Sequence, residues 1–87
     1  MAPYQTPEYH PAFEEYCETI FELREDDVEV IQARIVERLQ VSRPAVSEMI
    51  RRLEAESLVT ITGSHIDLTA DGLALAQRVV RRHRLAE

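Results

Sequence analysis

The run Leu39-Gln40-Val41-Ser42-Arg43-Pro44-Ala45-Val46-Ser47-Glu48-Met49-Ile50-Arg51-Arg52-Leu53-Glu54 holds the end of one helix, a short turn and most of a second helix. Ile31, Ile35 and Leu39 repeat at a spacing of four, which predicts a helix over roughly 31–39. Gln40 to Arg43 then break the pattern. Pro44 has a fixed φ that suits a first helical turn. Val46, Met49, Ile50 and Leu53 mark the inner face of a helix over roughly 44–55. Two short helices joined by a three- or four-residue turn form a helix-turn-helix unit.

Beyond Ser57 the period changes from helical to alternating. Leu58-Val59-Thr60-Ile61-Thr62 and His65-Ile66-Asp67-Leu68 read as two short strands, and Gly63-Ser64 between them is a tight-turn pair. Thr69 can cap a last helix, with Asp71 in its first turn near the positive end of the helix dipole. Leu73, Ala76, Val80 and His83 are expected on its inner face. Upstream, Phe13, Tyr16, Cys17, Ile20 and Phe21 give an amphipathic helix over roughly 11–25, closed by Asp26-Asp27. Residues 1–10, with Pro3 and Pro7, read as an irregular arm. The order predicts a mainly α, winged helix-turn-helix fold: a three-helix core, a short β-hairpin wing and a long fourth helix. Its expected organisation is an arm over 1–12, the winged domain over 13–70, and a linking helix over 70–87.

The totals agree with one small helical domain. The chain has 87 residues, 45% of them hydrophobic, and two glycines. Its single cysteine, Cys17, excludes an internal disulfide and fits a reducing cytoplasm. No apolar run is long enough for a membrane span, so a cytoplasmic protein with no membrane partner is expected. There is no nucleophile–base pair and no glycine-rich phosphate loop, so an enzyme is not expected. The net charge of −6 is distributed unevenly. Residues 1–29 carry nine acids against Arg24 alone, whereas residues 30–87 carry seven acids against nine arginines. The two segments therefore present different surfaces.

The helix over 44–55 leaves Arg43, Pro44, Ala45, Ser47, Glu48, Arg51 and Arg52 outside. A recognition helix enters the major groove N-terminus first, so Arg43, Pro44, Ala45, Ser47 and Glu48 stand where base edges would be read. Arginine suits guanine, glutamate accepts from cytosine N4, and alanine or the proline ring suits a thymine methyl. Ser42 and Ser47 are short enough to donate to phosphate, while Arg34, Arg51 and Arg52 would set register on the backbone. The same arginines, with Arg38, could instead pair with Glu37, Glu48, Glu54 and Glu56. A winged helix that docks proteins without binding DNA is the alternative. The wing tip, Gly63-Ser64-His65, lacks Arg and Lys and is expected to contribute little.

Several stretches resemble the diphtheria toxin repressor family of iron- and manganese-dependent regulators. Residues 16–23 and 33–39 resemble its first two helices, residues 41–54 its recognition helix, and residues 68–72 and 79–87 the start and end of its fourth. The resemblance implies a metal-dependent repressor acting as a homodimer on a palindromic double-stranded operator that controls metal-homeostasis genes. The fourth helix would lead towards a dimerisation region. It also implies that Glu15, Glu18, His83 and Glu87 stand at metal-ligand positions. Glu15 and Glu18 are three apart on one helix, and His83 and Glu87 four apart on another. Read from the residues alone, each could equally be a solvated surface group. The iron-responsive branch has methionine at the position of Glu15, whereas the manganese-responsive branch has a carboxylate there. Oxygen donors suit the harder ion, so Mn(II) is expected over Fe(II), although Glu87 resembles a ligand of the iron branch. Family members draw further ligands from a helix beyond the fourth. These 87 residues alone are therefore expected to hold metal weakly and to be monomeric if the dimer contacts lie elsewhere.

Overall fold

A computed structural model describes residues 10–86. The elements are α1 (Pro11–Glu25), α2 (Gln32–Leu39), α3 (Arg43–Ala55), β1 (Val59–Thr62), β2 (His65–Leu68) and α4 (Ala70–Ala86). This is the expected winged helix-turn-helix order. Of the stretch expected as an arm over 1–12, Pro11 and Ala12 lie in α1. His10 caps that helix, its Nδ1 accepting from the Ala12 amide at 3.1 Å. Residues 1–9 lie outside the described residues.

Helix ends are set by local chemistry. α3 begins at a Ser42 cap whose Oγ accepts from the Ala45 amide at 3.2 Å. α1 and α3 close alike, with Asp27 (φ 57°) and Ser57 (φ 59°) left-handed just past each end. Val28 N donates to Leu23 O and Leu58 N to Leu53 O, so orphan carbonyls are satisfied without glycine. β1 and β2 pair antiparallel, with Val59 opposite Leu68 and Thr62 opposite His65. Gly63, at φ 62°, supplies the left-handed backbone of the two-residue turn. The hairpin is not free-standing, since the Ile66 amide donates to Val30 O in the α1–α2 connection.

The core gathers Phe13, Tyr16, Cys17, Ile20 and Leu23 of α1, Ile35 of α2, Val46, Ile50 and Leu53 of α3, Leu58, and the wing's Val59 and Ile66. α4 closes it with a face rotated from the expected one, burying Leu75, Ala76 and Val79. Of the expected inner residues Ala76 is buried, Leu73 and Val80 are half-buried and His83 is exposed. Gly72 determines this rotation, because a Cβ there would lie 2.0 Å from Leu58 O. Thr69 fixes the same corner. Its Oγ1 donates to Ser57 O at 2.6 Å and accepts from the Gly72 amide at 3.1 Å, and its own amide donates to Leu58 O. The first half of α4 is thus part of the winged domain's core.

Candidate nucleic-acid interface and metal groove

Two surfaces carry the chemistry, and α3 builds the first. Its buried residues are Val46, Ile50 and Leu53, with Met49 half-buried, as expected from the spacing. Arg43, Pro44, Ala45, Glu48, Arg51 and Arg52 are exposed, and Ser47 is half-buried. Ser42 Oγ uses a lone pair in the cap, which leaves its proton free to donate outward. Arg51 Nη2 donates to Ser47 Oγ at 3.3 Å. Arg34, in the first turn of α2, pairs with Glu37, and Arg38 stands 3.6 Å from Asp26 at the end of α1. Surface pairs of this kind contribute about 0–1 kcal/mol and are readily exchanged for another anion. Arg43, Glu48 and Arg52 enter no ion pair among the described residues. The wing tip carries His65, whose Nε2 lies 3.9 Å from Glu29.

The second surface is a groove of about 490 Å³ between α1 and α4, lined by Pro11, Glu14, Glu15, Glu18, Val79, Arg82 and His83. α1 presents Glu14, Glu15 and Glu18 along one side, and Val79 and His83, four apart on α4, face them. His83 Nδ1 lies 2.8 Å from Glu18 Oε2, the carboxylate accepting from the ring N–H. Three of the expected ligands therefore share one groove, and two of them touch. Among the described residues no three His, Cys, Asp or Glu side chains converge as a metal-holding group. Glu15 is thus on the groove wall without completing a site. Glu87 lies outside the described residues.

The 2.8 Å Glu18–His83 contact is a hydrogen bond, so this pair could serve a divalent ion only once the ring proton between them is given up. The hardness of the carboxylate and the imidazole's nitrogen are both compatible with first-row divalent metals.

Sequence reading missed the pair beside it. Arg82 donates to Glu14 Oε2 at 2.7 Å and ties α4 to α1 across 68 positions of sequence. No spacing rule connects residues so far apart. Behind the groove, burial pushes the Cys17 thiol up to about 12, so it packs as an apolar group and offers no thiolate. Burial raises the Glu22 carboxyl, and Glu18 adds to that rise.

The sequence profile described as "Iron dependent repressor, N-terminal DNA binding domain" matches residues 9–65. The chain belongs to this family. Over 75 residues it is 47% identical to the iron-dependent repressor IdeR of Mycobacterium tuberculosis (strain H37Rv) and 44% identical to the diphtheria toxin repressor of Corynebacterium diphtheriae. Each alignment covers 85% of this chain and 33% of the relative, so the chain spans about a third of those proteins' length. These relatives are repressors, not enzymes. The solved structure of the manganese regulator SloR superposes with a TM-score of 0.73 at 39% identity, covering 93% of this chain and 36% of that one. A MepR mutant from S. aureus superposes at 0.72 with 20% identity, over 90% of this chain and 61% of its own, and shows the shared fold alone. The family's matched segment contains α1 to α3 and stops at the start of β2, so it covers all of the α3 face and the α1 side of the groove.

Proposed function

We propose that this chain is the DNA-binding part of a metal-dependent transcription repressor that acts on metal-homeostasis genes. The observation that carries the reading is the outward face of α3. It presents Arg43, Pro44, Ala45, Ser47 and Glu48 at the helix start, with Arg51 and Arg52 a turn further on. Arg34 of α2 has a similar phosphate-facing role, exchanging Glu37 for the DNA backbone. Ser42 holds the N-terminus of α3 in shape and turns its free hydroxyl proton outward.

Glu15, Glu18 and His83 would hold the metal, with Glu87 as the remaining family position. A divalent ion held there would supply the positive charge that draws the α1 carboxylates and the His83 imidazole of α4 together. The chain's own residues already bring α1 and α4 together there through Glu18–His83 and Glu14–Arg82. An ion that binds one α1–α4 arrangement better than another shifts the population toward it. Glutamate oxygens at both α1 positions favour Mn(II) over Fe(II). The repressor reads a palindromic operator as a homodimer, in a reducing cytoplasm.

Fluorescence anisotropy tests this, using duplexes selected from a random pool and titrated in Mn(II) and again in EDTA. Salt-sensitive binding to a palindrome, stronger with Mn(II), would establish a metal-gated repressor whose switch works within these residues. Equal binding in both buffers would keep the DNA function and remove the switch from Glu15, Glu18 and His83. No selected sequence in either buffer would favour a protein-docking winged helix.

A further inference from the structure

We infer that Glu48 is the residue that selects a cytosine in each operator half-site, and that it does so as much by rejecting other bases as by binding this one. The inference rests on the reading of α3 as the DNA-facing helix.

Glu48 is the only acid on the exposed face of the first two turns of α3. Arg51 and Arg52 follow it at i+3 and i+4, and a glutamate placed N-terminal to a cation at that spacing is the favoured order for a helix ion pair. Neither pair forms. Arg51 turns to Ser47 Oγ instead, and Arg52 enters no ion pair among the described residues. The Glu48 carboxylate is therefore uncommitted and points out of the domain, on the surface that must approach a polyanion.

An ionised carboxylate accepts hydrogen bonds and donates none. In the major groove, guanine presents N7 and O6 and thymine presents O4, all acceptors that repel it. Only cytosine N4 and adenine N6 donate. Adenine sets its N7 acceptor beside N6, an arrangement that asks for a group with both donor and acceptor, as glutamine has. Cytosine is the one base whose groove edge offers a donor alone. Discrimination then comes from unfavourable contacts with the other three bases. A neutral amide at this position would lose those contacts and gain a fit to adenine.

The test uses the same chain as wild type and as Glu48→Gln, each taken through selection from a random duplex pool at one salt concentration. Duplexes carrying each of the four base pairs at the affected position are then titrated. Because Glu48 is exposed and unpaired, the two proteins are expected to melt at the same temperature. The wild type is expected to require cytosine at one position per half-site, with other bases weakening binding roughly ten- to hundred-fold. Glu48→Gln is expected to lose that requirement, to accept adenine there, and to bind unrelated DNA more tightly. Identical base preferences at every position in the two proteins would overturn the assignment while leaving DNA binding intact. So would a wild-type preference for guanine or thymine at the position the substitution alters. If the wild type selects no sequence, the DNA reading itself fails, and this inference with it.

Discussion

At position 72 an added Cβ would stand 2.0 Å from Leu58 O and 3.0 Å from the carbonyl carbon, both backbone atoms that cannot swing aside. In an open helix, alanine is favoured over glycine by roughly 1 kcal/mol. Here the clash outweighs that gain, and Gly72→Ala is expected to destabilise the fold by about 2 kcal/mol. Urea unfolding checks it, and a midpoint at or above wild type would mean that α4 can back away from Leu58. Cys17 gives a second residue-level expectation. It is wholly buried, with its thiol pushed up to about 12, and the thiolate is the reactive species. Labelling with a thiol reagent near pH 8 should therefore follow global unfolding. Fast labelling of the native protein would show local opening of α1.

Among elements, α3 was the most legible in the sequence and α4 the least. Pro44 and the Val46, Met49, Ile50 and Leu53 spacing signalled α3 and its inner face, because apolar periodicity reports burial directly. In α4 the same logic chose Leu73 and Val80. The face is actually set by Gly72 against a carbonyl, and hydropathy does not register the packing of a residue without a side chain. The candidate groove was half legible. Resemblance brought Glu15, Glu18 and His83 to one place, but Glu14–Arg82 depends on how two distant helices cross. Ser42 makes the element-scale prediction. Its cap bond to the Ala45 amide organises the turn that carries Arg43 and Pro44. Ser42→Ala is expected to lower stability by about 1 kcal/mol and to weaken operator binding further than that loss alone. Unchanged affinity in an anisotropy titration would mean that the turn is held without its cap.

For the whole molecule, charge is divided by surface. The chain carries −6 overall, yet α3 turns three arginines outward, and three acids of α1, Glu14, Glu15 and Glu18, line the groove against α4. Long-range attraction to DNA is therefore weak, and binding depends on contacts made at close range. Each phosphate contact contributes about one to the slope of log affinity against log salt. Arg52→Ala should reduce that slope by about one per bound domain with no change in base preference. An unaltered slope would take Arg52 off the DNA backbone. The corner at Leu58 has a mechanical consequence. Its amide is bonded into the end of α3, its carbonyl accepts from Thr69 and lies against Gly72, and Thr69 also grips Ser57. Both helices are thus anchored on that one peptide, which would be the fulcrum of any rigid tilt of the pair. The arm formed by α3's 13 residues is about 20 Å long, so a rotation of about 5° at the fulcrum sweeps Arg43 by about 2 Å. A hydrogen bond tolerates only a few tenths of an ångström, so on the proposed DNA reading a tilt of that size would carry Arg43 out of reach of a base.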